Sequence, residues 1–218
     1  MADVKKIWIL LKQRFDYKFY PDLYWYFAIL ILAVPFQMFL PVECGYETGF
    51  VENTQLAVLA VGIIFCLRSK YQRGLFYVAA AILLVMMLRE TNFGKTIFYP
   101  DPVRPNRFLS WDKIWYAPYV DPVMIGYGVL VGIYAIRKKL WNPLWKYICK
   151  ASIPVWVVAA FILAAVGSSV LDKCKMDILE EMVEMAAYAA MVGILRIYAY
   201  CIPEPQTEEK DGCVLNND

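Results

Sequence analysis

The chain of 218 residues is 61% hydrophobic, with a mean hydropathy of +0.47, 7 Trp, 16 Tyr and a net charge of only +2. Soluble domains lie nearer about 45–50% apolar, so the composition predicts a membrane protein, and the aromatic excess suits membrane–water interfaces. Histidine is absent, which excludes imidazole-based triads, imidazole metal ligands and histidine proton shuttles.

Residues 1–20 place Lys5, Lys6, Lys12, Arg14 and Lys18 around Ile7, Trp8, Leu10, Leu11 and Phe15. That pattern predicts a basic amphipathic helix lying in the membrane surface. A signal peptide competes with it, but the apolar run is short, Lys12 interrupts it, and no small-residue cleavage site precedes the next span. Residues 21–203 then read as one all-α domain of six transmembrane helices, which leaves no room for a soluble catalytic domain. The predicted spans are 23–40, 49–67, 74–94, 121–136, 153–171 and 177–201. Asp121-Pro122 supplies an N-cap and a first-turn proline for the fourth, and Pro203 and Pro205 stop the sixth. Residues 204–218 form a polar tail expected to be disordered.

Orientation follows from Lys and Arg in the connections. The N-terminal segment carries five, the 68–73 loop three and the 137–150 loop five; on the other side, the 41–48 loop carries none, 172–177 two and 95–120 four. The bias of 13 to 6 predicts cytoplasmic N- and C-termini. Cys44 and Cys174 then fall in short outer loops, in an oxidising compartment. They either form a disulfide or remain two thiols that never meet. No metal-type cysteine spacing occurs.

The third span is cut short by charge. Its apolar part, Leu75 to Leu88, gives about 21 Å of helix at about 1.5 Å per residue, against a hydrocarbon core of about 30 Å. The span must therefore continue through Arg89 and Glu90. Ionisable residues at such depth cost about 2.5–3.5 kcal/mol each on insertion scales and usually have a partner and a purpose. Counting from the ends of the other spans puts Glu52, followed by Asn53 and Gln55, in the outer leaflet. Glu184 falls near the outer boundary, on a face it shares with Glu180 and Tyr188, with Glu181 on a neighbouring face. Glu52, Arg89, Glu90, Glu180, Glu181 and Glu184 thus reach similar depth on three helices. One arginine cannot neutralise the carboxylates, so some are protonated, or a cation joins them, or water fills the space. The simplest structural alternative is that Arg89 pairs with Glu90, Glu52 or Glu184 to lock helices together, while Glu180 and Glu181 are solvated acids favoured by the helix dipole.

The 95–120 loop mixes Phe98, Tyr99, Phe108, Trp111, Trp115, Tyr116 and Tyr119 with four prolines, and Ser110 is placed to cap a short helix through Trp115. It reads as a lid over the outer site or as an aromatic belt. Gly126, Gly128 and Gly132 in the fourth span suggest close helix packing, and Arg196 is expected to snorkel to the inner interface.

Three stretches in order, Glu47-Thr48-Gly49-Phe50-Val51-Glu52, Leu88-Arg89-Glu90-Thr91-Asn92-Phe93-Gly94-Lys95 and Glu180-Glu181-Met182-Val183-Glu184, resemble a group of uncharacterised bacterial multi-pass membrane proteins. Those carry a glutamate opening one span, an Arg-Glu-x-x-aromatic-Gly segment ending another, and a Glu-Glu-x-x-Glu run opening the last. Asn92-Phe93 stands where that pattern has Ser-Trp. The resemblance implies a bacterial inner membrane and brings no activity.

Three functions fit. The first is a membrane-embedded enzyme acting from the outer side on a lipid-linked or other anionic, phosphate-bearing substrate. Glu52, Arg89, Glu90 and Glu184 are its catalytic candidates: a carboxylate is the general base, or Glu52, Glu90, Glu181 and Glu184 ligate a divalent cation, and Arg89 holds phosphate. The second is an ion- or proton-coupled carrier, which needs a polar route continuing inward. The third is a non-catalytic assembly subunit, which needs Arg89 fully paired and no cavity. The lipid bilayer is the expected partner, and no nucleic-acid partner is expected.

Overall fold

The computed structural model describes residues 14–41, 49–101, 108–174 and 176–201. Among these a two-residue strand β1 (Phe15–Asp16) precedes α1 (Asp22–Phe39), α2 (Phe50–Leu67), α3 (Arg73–Glu90), α4 (Lys95–Phe98), α5 (Ala117–Arg137) and α6 (Trp141–Lys150). A second short strand, β2 (Ile153–Pro154), α7 (Val155–Cys174) and α8 (Asp177–Tyr200) complete the chain. By length and composition α1, α2, α5 and α7 can each cross a membrane, and α3 with the bent segment after it makes a fifth candidate. The 24 residues of α8 give about 36 Å of helix, but Glu180, Glu181, Glu184 and Arg196 make it less apolar than the others.

The bundle is arranged around α8, which lies along α7, α1 and α2, while α3 pairs with α2. Small side chains explain the close approach: Ala186, Ala187 and Ala190 of α8 meet Ala160 and Ala164 of α7 in one core that also takes in Leu23 and Tyr26 of α1. Without a hydrophobic drive between helices in lipid, such close backbone contact supplies the attraction. A second core joins Leu59 and Cys66 of α2 to Phe76, Ala80 and Leu83 of α3 and Tyr188 of α8. Two glycines sit where α8 is approached closely. A Cβ on Gly62 would stand 2.7 Å from a Val192 methyl, and one on Gly193 would stand 3.0 Å from the Asp22 Cβ.

The glycines expected to mark packing in the fourth span do not. A Cβ on Gly126, Gly128 or Gly132 would meet nothing within 4 Å, because α5 buries none of its residues and touches α3 mainly through the Tyr127 hydroxyl, which donates to the Ala81 carbonyl at 3.2 Å. The start of α5 also differs. It begins at Ala117 with Pro118 in the first turn, where a missing N–H costs nothing because the first four are unbonded anyway, so Asp121-Pro122 falls inside the helix.

Further corrections concern the end of the bundle opposite Glu52 and Glu90. The basic 137–150 loop contains α6, in which Trp141, Leu144, Trp145 and Ile148 recur at helical spacing. Of the expected surface helix, residues 15–20 are not helical: β1 pairs in parallel with β2, Phe15 opposite Ile153 and Asp16 opposite Pro154. Arg14 donates to the carbonyls of Ala151, at 2.9 Å, and Ile148. Residues 1–13 and the tail 204–218 lie outside the described residues. Arg196 does not simply snorkel. Its guanidinium grips the Asp22 carboxylate at two points, Nε to Oδ1 at 2.6 Å and Nη2 to Oδ2, tying the C-terminal end of α8 to the start of α1.

The third span ends four residues earlier than expected. Helix α3 stops at Glu90, a 3₁₀ turn covers Asn92–Gly94, and α4 leaves at an angle of 57°. Asn92, Phe93 and Gly94 all have positive φ, 45°, 54° and 86°, a region that only glycine enters without strain. The kink is held by its neighbours. The Thr96 hydroxyl donates to the Thr91 carbonyl at 3.1 Å, and the Tyr116 hydroxyl to the Phe93 carbonyl at 3.1 Å.

Candidate functional site

Three helix ends converge beside this kink. Helix α2 brings Glu52 in its first turn, α3 brings Arg89 and Glu90 in its last, and α8 brings Glu181 and Glu184 in its first two. With Asn92 from the 3₁₀ turn, these side chains line one polar cavity of about 250 Å³. Every residue named as a catalytic or metal candidate from the sequence therefore reaches the same space. Glu180 does not line it, and neither does any side chain of the aromatic 108–120 segment. That segment instead clusters around Tyr116, whose ring meets those of Tyr99, Trp111 and Trp115, with the Lys95 ammonium 5.2 Å from the Trp111 ring centre. Ser110 opens only a 3₁₀ turn, Trp111–Lys113, and its hydroxyl holds the Asp112 carboxyl below the usual carboxylate range.

Two polar side chains below the cavity organise its carboxyls. Gln55, 0% exposed on the inner stripe of α2, donates from Nε2 to the Glu181 carboxylate at 2.8 Å and to the Glu181 carbonyl at 2.9 Å. Its own Oε1 is buried with no hydrogen-bond partner among the described residues. Tyr188, 7% exposed, bridges two helices: its hydroxyl lies 2.7 Å from a Glu184 oxygen and 2.8 Å from a Glu90 oxygen. A phenol has one proton to donate. The two short contacts are met either by that proton shared between both carboxyls or by a proton on one carboxyl donated back to the phenol oxygen, so these three groups share protons in a chain.

Arg89 behaves differently from its neighbour. It is exposed at the rim of the cavity and makes no ion pair among the described residues, whereas Glu90 turns inward to Tyr188. The charge lock expected here is found at the other end of the bundle, between Arg196 and Asp22. Beneath the carboxyls the cavity is closed by the apolar core of Leu59, Leu83 and the Gly62–Val192 contact. Among the described residues, no three acidic or thiol groups stand close enough to grip a metal ion between them. Cys174 is an exposed thiol, and its suggested partner Cys44 lies outside the described residues.

Asn92 and the Asp22–Arg196 pair are the polar contributions the sequence reading missed. The signal for the pair was present: Asp22 opens the first long helix and Arg196 lies near the end of the last, so counting residues places both at the same end of the bundle. Comparison with known proteins adds no relative: no family model matches the chain, and neither a curated protein nor a solved structure does.

Proposed function

We propose that this is a multi-pass inner-membrane protein in which α1, α2, α3, α5, α7 and α8 all span the bilayer with both termini cytoplasmic. On this reading the polar cavity is the outward-facing active site of a membrane-embedded enzyme that takes an anionic, phosphate-bearing, lipid-linked substrate. The observation that carries the reading is the exposed guanidinium of Arg89, in no ion pair among the described residues, at the mouth of a cavity whose other lining side chains are Asn92 and four glutamates. An assembly subunit has no use for an open cavity with its arginine unpaired. A carrier needs a polar route onward, and the core of Leu59 and Leu83 closes that direction.

The roles follow from the chemistry of the groups. Arg89 offers planar, paired N–H donors to phosphate oxygens. Glu90 and Glu184, joined through Tyr188, accept the proton of an attacking hydroxyl and return it to the leaving oxygen. Gln55 orients Glu181. A divalent-cation version uses Glu52, Glu90, Glu181 and Glu184 as ligands and requires these carboxyls to draw closer than they stand. The test is to reconstitute the protein in vesicles of bacterial inner-membrane lipid extract and follow lipid species by mass spectrometry. A product formed by the wild type and lost in Arg89→Ala and Glu184→Gln is expected. Unchanged lipids together with Glu184-dependent movement of protons or cations across the vesicle would refute the enzyme in favour of the carrier.

A further inference from the structure

A second cavity lies on the other side of α8. Helices α1 and α2 are consecutive in the chain and both lie along α8, yet they barely touch each other. Between them runs a groove of about 810 Å³, within the range of about 300–1,000 Å³ typical of ligand sites. Its floor is Met185, Ala189 and Gly193 of α8, and its walls narrow to Ala28 on α1 and Ala57 and Val61 on α2. These small residues at mid-depth make the room. Phe36 and Phe50 stand at one end, where none of the described lining residues is charged, and Trp25 with the Asp22–Arg196 pair stands at the other.

We propose that this groove binds the hydrocarbon tail of an anionic phospholipid, with the phosphate against Arg196. Both walls are helices apolar and long enough to sit in lipid, so the occupant comes from the membrane. From Asp22 to Phe36 the groove is about 21 Å long at about 1.5 Å per residue, and a leaflet's share of the hydrocarbon core is about 15 Å. A tail rooted at the Asp22 end therefore fills most of it. The polar end selects the headgroup. Arg196 spends two of its donors on Asp22, which fixes the guanidinium in place, and the five N–H groups of arginine leave others for phosphate oxygens. Both side chains remain reachable, 28% and 15% exposed.

The inference stands independently of the enzymatic reading, because the groove and the polar cavity lie on different faces of α8. The test uses delipidated protein in detergent, with phosphatidylglycerol, phosphatidylcholine or inorganic phosphate added and the melting temperature followed. Phosphatidylglycerol at 100 times its Kd is expected to raise Tm by about 5–10 °C, with a smaller rise for phosphatidylcholine and none for phosphate alone. Ala57→Trp fills the groove and is expected to abolish the response. Should that variant fail to fold, Val61→Trp, which starts from the exposed rim, carries the same expectation. Leu130→Trp on the exposed face of α5 and Arg89→Ala keep the full response. An unresponsive wild type, or a response undiminished in the groove-filling variants, overturns the site. Equal responses to the two lipids overturn the preference for an anionic headgroup.

Discussion

Replacing Tyr188 with phenylalanine removes one oxygen and leaves the ring in the core formed with Leu59 and Leu83, so no cavity term accompanies the change. What disappears is the bridge between Glu90 and Glu184, whose contacts of 2.8 and 2.7 Å are short hydrogen bonds to acidic side chains. A bond of this kind contributes about 1.5–3 kcal/mol. The carboxyls left behind are half-buried, so the loss is not offset by replacement with a well-packed apolar group alone. We expect Tyr188→Phe to destabilise by about 2 kcal/mol, which at about 2–4 °C per kcal/mol for a chain of this size lowers Tm by about 4–8 °C. The assay is equilibrium unfolding in mixed micelles of wild type, Tyr188→Phe, Glu90→Gln and the double variant. The cycle should return a coupling energy of about 1 kcal/mol or more, as expected for groups in one network. A Tyr188→Phe effect below about 0.5 kcal/mol with no coupling to Glu90 would refute the shared-proton chain.

At the opposite end of the bundle, Arg196→Gln leaves the Asp22 carboxylate without its partner and is expected to destabilise by about 2 kcal/mol, less than for a fully buried pair because both groups are partly exposed. Adding Asp22→Asn should recover part of that loss in the same unfolding assay. Gly62→Ala drives a Cβ into Val192 and should cost about 1–3 kcal/mol, whereas Gly128→Ala, with open space around it, should stay within about 0.5 kcal/mol; equal effects would count against the helix contacts described. In intact cells, a membrane-impermeant maleimide should label Cys174 and should reach Cys149 and Cys201 only after permeabilisation. Labelling of Cys174 that appears only with reductant would place it in a disulfide with Cys44.

The long helices were readable as runs of hydrophobic residues bounded by Pro21, Pro41 and the charged loops. Their bounds agree to within a few residues for α1, α2, α7 and α8, because lipid demands long apolar helices whatever the tertiary contacts. The convergence of Glu52, Glu90 and Glu184 was readable for a related reason: depth along a span follows from counting residues. Rotation about the helix axis does not. Nothing in the order of residues says that Glu90 turns inward to Tyr188 while Arg89 stays at the rim. The kink at Asn92–Gly94 was read as straight helix because positive φ at Asn92 and Phe93 is imposed by contacts from Thr96 and Tyr116. Helix α6 was hidden by charges in and before it: Arg137, Lys138, Lys139 and Lys146 drew attention from the apolar spacing of Trp141, Leu144, Trp145 and Ile148.

The placement of α8 at the middle of the bundle has a consequence for biosynthesis. The helix that α1 leans on most is also the last one described, made about 140 residues after α1 is complete. At about 5–20 residues per second, α1 waits on the order of 10 s in the bilayer with its Asp22 carboxylate unanswered by Arg196. During that interval the hairpin of α2 and α3 can form on its own, but α1 has no lasting neighbour. Insertion machinery or lipid must shelter it until the final helix arrives, and a chain truncated before Asp177 would leave α1 stranded for quality control to find.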